Sequence, residues 1–105
     1  MKLVGFEIVS DLIRRELRLR PRQGRTLDRR VAAWKAEVQR ARWTKPTDVK
    51  ALYGTADIVG NNRIVFDICG NSYRIIVQFN YAADVASIRF AGTHEEYDEI
   101  DATTI

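Results

Sequence analysis

Three arginines and one histidine are the residues of this chain best suited to chemistry. Arg63, Arg74 and Arg89 are the only Lys or Arg residues after Lys50, and His94 is the only histidine. A guanidinium is a planar fork that stays charged and grips two oxygens of a phosphate or carboxylate at once. Imidazole titrates near neutrality, so a histidine beside an arginine cluster is a candidate acid or base. Plainer readings stand beside these. Arg74 can pair with Asp67, which contributes at most about 1 kcal/mol if exposed. His94 can be an ordinary surface residue in the first turn of a helix, and Tyr97 can be core.

Whether these groups meet depends on residues 61–101. This stretch reads as three antiparallel strands that run into a short helix. Residues 63–68, 73–79 and 85–90 each alternate apolar and polar side chains. Gly70-Asn71 forms a two-residue hairpin loop, which sets Tyr73 opposite Ile68 and Arg74 opposite Asp67. One face then collects Ile64, Phe66, Ile68, Tyr73, Ile75, Val77 and Phe79, and requires helices over it. A turn centred on Ala82-Ala83 sets Ile88 opposite Val77, Ser87 opposite Gln78, Arg89 opposite Ile76 and Phe90 opposite Ile75. All three arginines then share the other face. Thr93-His94-Glu95-Glu96 has capping-box form, so a short helix over residues 93–99 carries His94 and Tyr97. The tail to Ile105 is loosely held, unless Ile100 and Ile105 dock.

Upstream, residues 2–9 read as a buried strand, followed by a helix over residues 10–19 with Leu12, Ile13 and Leu17 inward. Pro21 closes that helix. Gly24 breaks the chain, and Thr26 caps a second helix. Its stripe of Leu27, Val31, Trp34, Val38 and Ala41 follows a 3.6-residue period. Trp34, in mid-stripe, is read as core. Residues 44–50 form one or two helical turns, and 56–59 a short strand. The expectation is α+β: a small antiparallel or mixed sheet, two N-terminal helices packed on one face and a short C-terminal helix.

The 105 residues suit a single domain with a modest core. No apolar run reaches the roughly 20 residues of a membrane span, and the N-terminal stretch is too short and too charged for a signal peptide. One cysteine excludes an intrachain disulfide, and with one histidine it cannot build a zinc site. A cytoplasmic setting is expected. The charge is lopsided, at +8 over residues 1–50 and −5 over 51–105. Either the first half meets an anion such as nucleic acid, or it presents a solvated basic face.

WTKPTDVKALYG, NNRIVFDICGNSYRIIVQFNY and IRFAGTHEEYDEID, in that order, resemble the HigB family of type II toxin–antitoxin toxins, within the RelE/ParE-like superfamily. The resemblance covers about residue 27 to the end. It implies a RelE-like fold and an endoribonuclease (an mRNA interferase) that cuts mRNA on the translating ribosome, blocking translation with no cofactor or metal. It also implies a HigA-like, helix-turn-helix antitoxin bound in a hetero-oligomer. Arg74, Arg89, His94 and Tyr97 are then the expected catalytic group, with Lys45, Lys50, Arg63 and Asn71 on the RNA. A noncatalytic nucleic-acid-binding module and a gyrase-inhibiting relative are the alternatives.

Overall fold

The computed structural model describes residues 1–105. The chain runs β1 (Lys2–Val4), α1 (Phe6–Leu19), α2 (Pro21–Arg40), α3 (Pro46–Leu52), β2 (Asp57–Val59), β3 (Arg63–Ile68), β4 (Tyr73–Asn80), β5 (Val85–Thr93) and α4 (His94–Tyr97). The fold is α+β, as expected. Its five-stranded sheet has the order β1-β5-β4-β3-β2. β1 lies parallel to β5, and the other neighbours are antiparallel.

The periodic stripes account for the layers. Leu27, Val31, Trp34 and Val38 of α2 are all buried, as are Val9, Leu12 and Ile13 of α1. They pack on Ile64, Phe66, Ile75, Val77 and Phe79 in one core. Trp34 is 2% exposed and meets Phe66 edge-on at 5.5 Å, so it is core and not a stacking platform. Side chains of this size contribute about 1.5–3 kcal/mol each on full burial. No helix is long and apolar enough to cross a membrane.

Boundaries in the N-terminal half differ from the sequence expectation. The first strand ends at Val4, and α1 begins at Phe6 rather than residue 10. Gly5 makes the turn in the left-handed region at φ 83°, where a Cβ would lie 2.9 Å from the Ile88 carbonyl oxygen. Pro21 opens α2 at its first turn, where a missing N–H costs nothing. Gly24 is not a break. It sits inside α2 at the crossing with α1, and a Cβ there would meet the Leu17 nitrogen at 2.6 Å. Finally, α1 buries Glu16, wholly unexposed, while Leu17 lies at the surface.

The hairpin register is as the turn chemistry implies, with Ile68 opposite Tyr73 and Asp67 opposite Arg74. The β4–β5 register starts as expected, with Gln78 opposite Ser87 and Val77 opposite Ile88. It then slips, because Phe90 opposes Ile76 and Gly92 opposes Arg74. Arg89 is the extra residue of a bulge, left without an opposite number. The slip moves Phe90 to the sheet's second face. There it joins Val65, Ile76, Tyr97, Ala102, Ile100 and Ile105 in a small second core. The tail is therefore docked rather than loose.

Candidate active site

Arg74 is the hub of the cluster. Its NH1 donates to Asp67 Oδ1 at 2.5 Å, and the two side chains are 12% and 20% exposed. Its NH2 lies 3.1 Å from His94 Nδ1. The guanidinium also covers the Tyr97 ring, 5.4 Å from the centroid, and NH1 reaches weakly toward the Asn71 carbonyl oxygen at 3.5 Å. Because a guanidinium can only donate, His94 Nδ1 is the acceptor and the neutral ring's proton sits on Nε2. Nε2 faces Asp98 Oδ2 at 3.4 Å.

The backbone builds this meeting. The His94 N–H donates to the Ser72 carbonyl oxygen at 3.0 Å, which fastens the start of α4 to the β3–β4 turn. The Thr93–Glu96 capping box is present in both directions. The bulge sets Arg74 opposite Gly92, one residue away from the partner that simple alternation gives it.

A second network adjoins the first. Glu16 accepts from the Tyr73 hydroxyl at 2.6 Å and from Arg20 NH1 at 2.9 and 3.1 Å, with Arg15 Nε 3.5 Å away. Arg15 in turn grips Glu96 through both terminal nitrogens, at 3.0 and 2.5 Å. That hydrogen bond holds the Glu96 carboxyl down at about 2, against an ordinary 4.5. Burial, reinforced by the bond to Glu16, pushes the Tyr73 phenol well up. Burial also raises Tyr97, with the charge of Asp57 adding to it.

Between the two networks lies a polar cleft of about 440 Å³, lined by Glu16, Arg20, Gln23, Asn71, Ser72, Tyr73, Thr93, His94 and Glu95. A cleft of about 560 Å³ lies around Asn62, Gln78, Asn80 and Ser87, but no charged side chain lines it. The smaller one holds the groups able to do chemistry.

The structure thus gathers Arg74, His94 and Tyr97 of the expected catalytic residues, with Asn71 beside them. It separates Arg89 and Arg63 from the group. Arg89 Nε donates to the main-chain oxygen of Ile105 at 3.2 Å. Arg63 NH2 bonds the same oxygen at 2.6 Å, and its NH1 bonds the Asn61 oxygen at 3.1 Å. Arg63 is only 7% exposed, so it lies beneath the tail instead of on an open arginine face. Its strand position, opposite Gln78, is four residues along β4 from Arg74, roughly 13 Å. Lys50 Nζ donates to the Ala56 oxygen at 2.5 Å, while Lys45 is exposed at the start of α3.

Sequence reasoning missed Glu16, Arg20 and Gln23. One signal was available. Glu16 continues the spacing of Val9, Leu12 and Ile13, and a carboxylate on an apolar stripe needs partners. No group of three or more His, Cys, Asp or Glu side chains gathers in one place to hold a metal ion.

No curated protein matches the chain. Residues 28–100, which run from within α2 through α4 and so include the Arg74–His94 cluster, match the HigB toxin family, described as the RelE-like toxic component of a toxin–antitoxin system. With that match over most of its length and the α+β fold to go with it, this chain belongs to the HigB family of RelE-like toxins.

Proposed function

We propose that this toxin is an endoribonuclease that cleaves mRNA on the translating ribosome in the cytoplasm. As a toxin of such a system it has an antitoxin partner. The reading makes that partner a HigA-like, helix-turn-helix protein. The observation that carries the nuclease is the position of His94. It is oriented by Arg74, which is itself anchored by Asp67, and it forms one wall of a polar cleft.

In the proposed reaction the 2′-oxygen of the substrate forms a bond to phosphorus as the bond from phosphorus to the 5′-oxygen breaks. The 2′-OH proton passes to water and the leaving 5′-oxygen takes one from water, while His94, its ring turned by the Nδ1 bond to Arg74, donates an Nε2–H hydrogen bond to the phosphate. Negative charge gathers on the phosphate oxygens in the transition state, and fixed cations favour it. Arg74 contributes charge, but Asp67 offsets part of it, so its larger part is to orient His94. Tyr97 supports the guanidinium from below. Arg18, Arg22, Arg25 and Arg29 are exposed and make no ion pair, which suits them to RNA phosphates, together with Lys45. Arg63 and Arg89 hold the tail, and Lys50 the chain at Ala56, so none of these three is given a part in cleavage.

The test is induction of the toxin in a bacterial host with mapping of mRNA 5′ ends. Translation-dependent cuts that vanish with His94→Ala in folded protein are expected. Growth arrest without any such cuts would sink the nuclease reading in favour of a noncatalytic or gyrase-directed toxin.

A further inference from the structure

We infer that the cleft between the α1–α2 junction and the β3–β4 turn is a nucleobase subsite, in which Arg20 and Gln23 read a purine next to the scissile phosphate. This inference rests on the nuclease reading and adds to it where sequence preference comes from. His94 stands on one wall of the cleft, and Arg20 and Gln23 come from the helical side. A nucleotide whose phosphate lies at His94 therefore has this cleft beside it.

The wall is built rather than incidental. Glu16 is completely buried, and the Tyr73 hydroxyl and Arg20 both satisfy it. Arg20 spends only NH1 on that carboxylate. Its Nε and NH2 make no hydrogen bond within the protein, and the side chain is 51% exposed. The buried anion thus holds a guanidinium with free donors at the edge of the cleft.

The charge of the lining decides what enters. Arg20 is balanced by Glu16, and Glu95 adds a further negative charge. Gln23, Asn71, Ser72 and Thr93 are neutral donors and acceptors. A second phosphate would meet carboxylates here. An uncharged ring with hydrogen-bonding edges would not. The volume falls within the roughly 300–1,000 Å³ of small-molecule sites. Unstacked bases of single-stranded RNA are read on their edges and stack on guanidinium planes. An arginine fork matches the two acceptors of guanine, and a glutamine amide matches the donor–acceptor edge of adenine. The pair together favours purines. Glu16, Arg20 and Gln23 also lie outside residues 28–100, so the helical wall of the subsite belongs to the part of the chain that the family match does not cover.

The test is cut-site mapping on an mRNA library, translated in an extract with the purified full-length toxin. The toxin is expected to show a purine bias at one position flanking the cut. Arg20→Ala and Gln23→Ala should each weaken that bias about tenfold, as loss of one good base contact does. Gln23 is exposed and unpaired, so Gln23→Ala should fold. Arg20→Ala leaves buried Glu16 with one partner fewer. Arg20→Lys, which keeps the charge but loses the fork, is therefore run beside it and should weaken the bias likewise. Arg42→Ala removes the same charge from an exposed arginine that does not line the cleft, and should leave the bias unchanged. Tyr73→Phe takes one donor from Glu16 and should blur the bias while cleavage continues. The inference is overturned if the toxin cuts but shows no flanking bias, or if Arg20→Ala and Gln23→Ala keep the original profile. It is also overturned if they lose antitoxin binding alone, because the cleft would then serve an acidic protein segment. Absence of cleavage by the unaltered toxin would refute the nuclease reading itself, and the subsite with it.

Discussion

Replacing Gly24 with alanine reverses the usual rule for helices. In an exposed helix interior, Gly→Ala stabilises by roughly 0.5–1 kcal/mol, because glycine loses more chain entropy on folding. At Gly24 the new Cβ would lie 2.6 Å from the Leu17 nitrogen, 2.7 Å from its Cα and 2.8 Å from the Glu16 carbonyl carbon. These are backbone atoms, so no rotamer change relieves the contact. The two helices must separate by something on the order of 1 Å, which takes α1 off Val31 and Trp34. Overpacking of this kind costs about 1–3 kcal/mol. With the upper figure, and ~1 kcal/mol returned by propensity, the net loss is about 2 kcal/mol. For a domain of this size that lowers the melting temperature by roughly 8–16 °C. Thermal unfolding followed by circular dichroism at the helix band reads it directly. An unchanged or higher melting temperature would show that α1 and α2 do not cross closely at this residue. Because Glu16 and Arg20 flank the crossing, the variant should also blur the cut-site bias.

Three further outcomes follow from the same contacts. Arg74→Lys keeps the charge but cannot bridge Asp67 and His94 with a planar fork, so cleavage should fall about 100-fold or more in folded protein; undiminished cleavage would remove Arg74 from the mechanism. Glu96 has its folded pKa depressed to about 2 from 4.5. Its stabilising contribution is therefore present above pH 4.5 and is lost as pH falls toward 2. The side chain is 44% exposed, so solvent screening limits that contribution to about 1 kcal/mol or less. In urea titrations, Glu96→Gln should be the less stable protein near neutrality, and the gap should close over that acid window; a constant gap would contradict the pairing with Arg15. Arg63→Met should remove one of the two hydrogen bonds that hold the Ile105 oxygen, at a cost of roughly 1.5–3 kcal/mol. Amide exchange in residues 100–105 should then quicken, and slow exchange there would show that Arg63 does not hold the tail.

Sequence and tertiary structure divide this protein along physical lines. The sequence alone determined what local periodicity and turn chemistry encode. The α2 stripe through Trp34, the Gly70-Asn71 hairpin with Arg74 opposite Asp67, and the Thr93–Glu96 capping box are each set by residues within a few positions of one another. The motifs of residues 28–100 carried the family as well. Tertiary structure decided whatever rests on contacts between distant segments. Alternation cannot announce a bulge, yet the slip at Arg89 turns that side chain toward Ile105 and seats Gly92 opposite Arg74. A glycine that ends a helix and one that admits a neighbouring helix read alike in sequence; only the crossing at Leu17 tells them apart. The arginine face divided for the same reason. Arg63 and Arg89 went to a tail oxygen about forty and sixteen positions away in the chain, and Arg74 alone reached His94. Glu16, which local patterning marks only as a carboxylate on an apolar stripe, met Tyr73 fifty-seven positions away and became the buried anchor of the cleft.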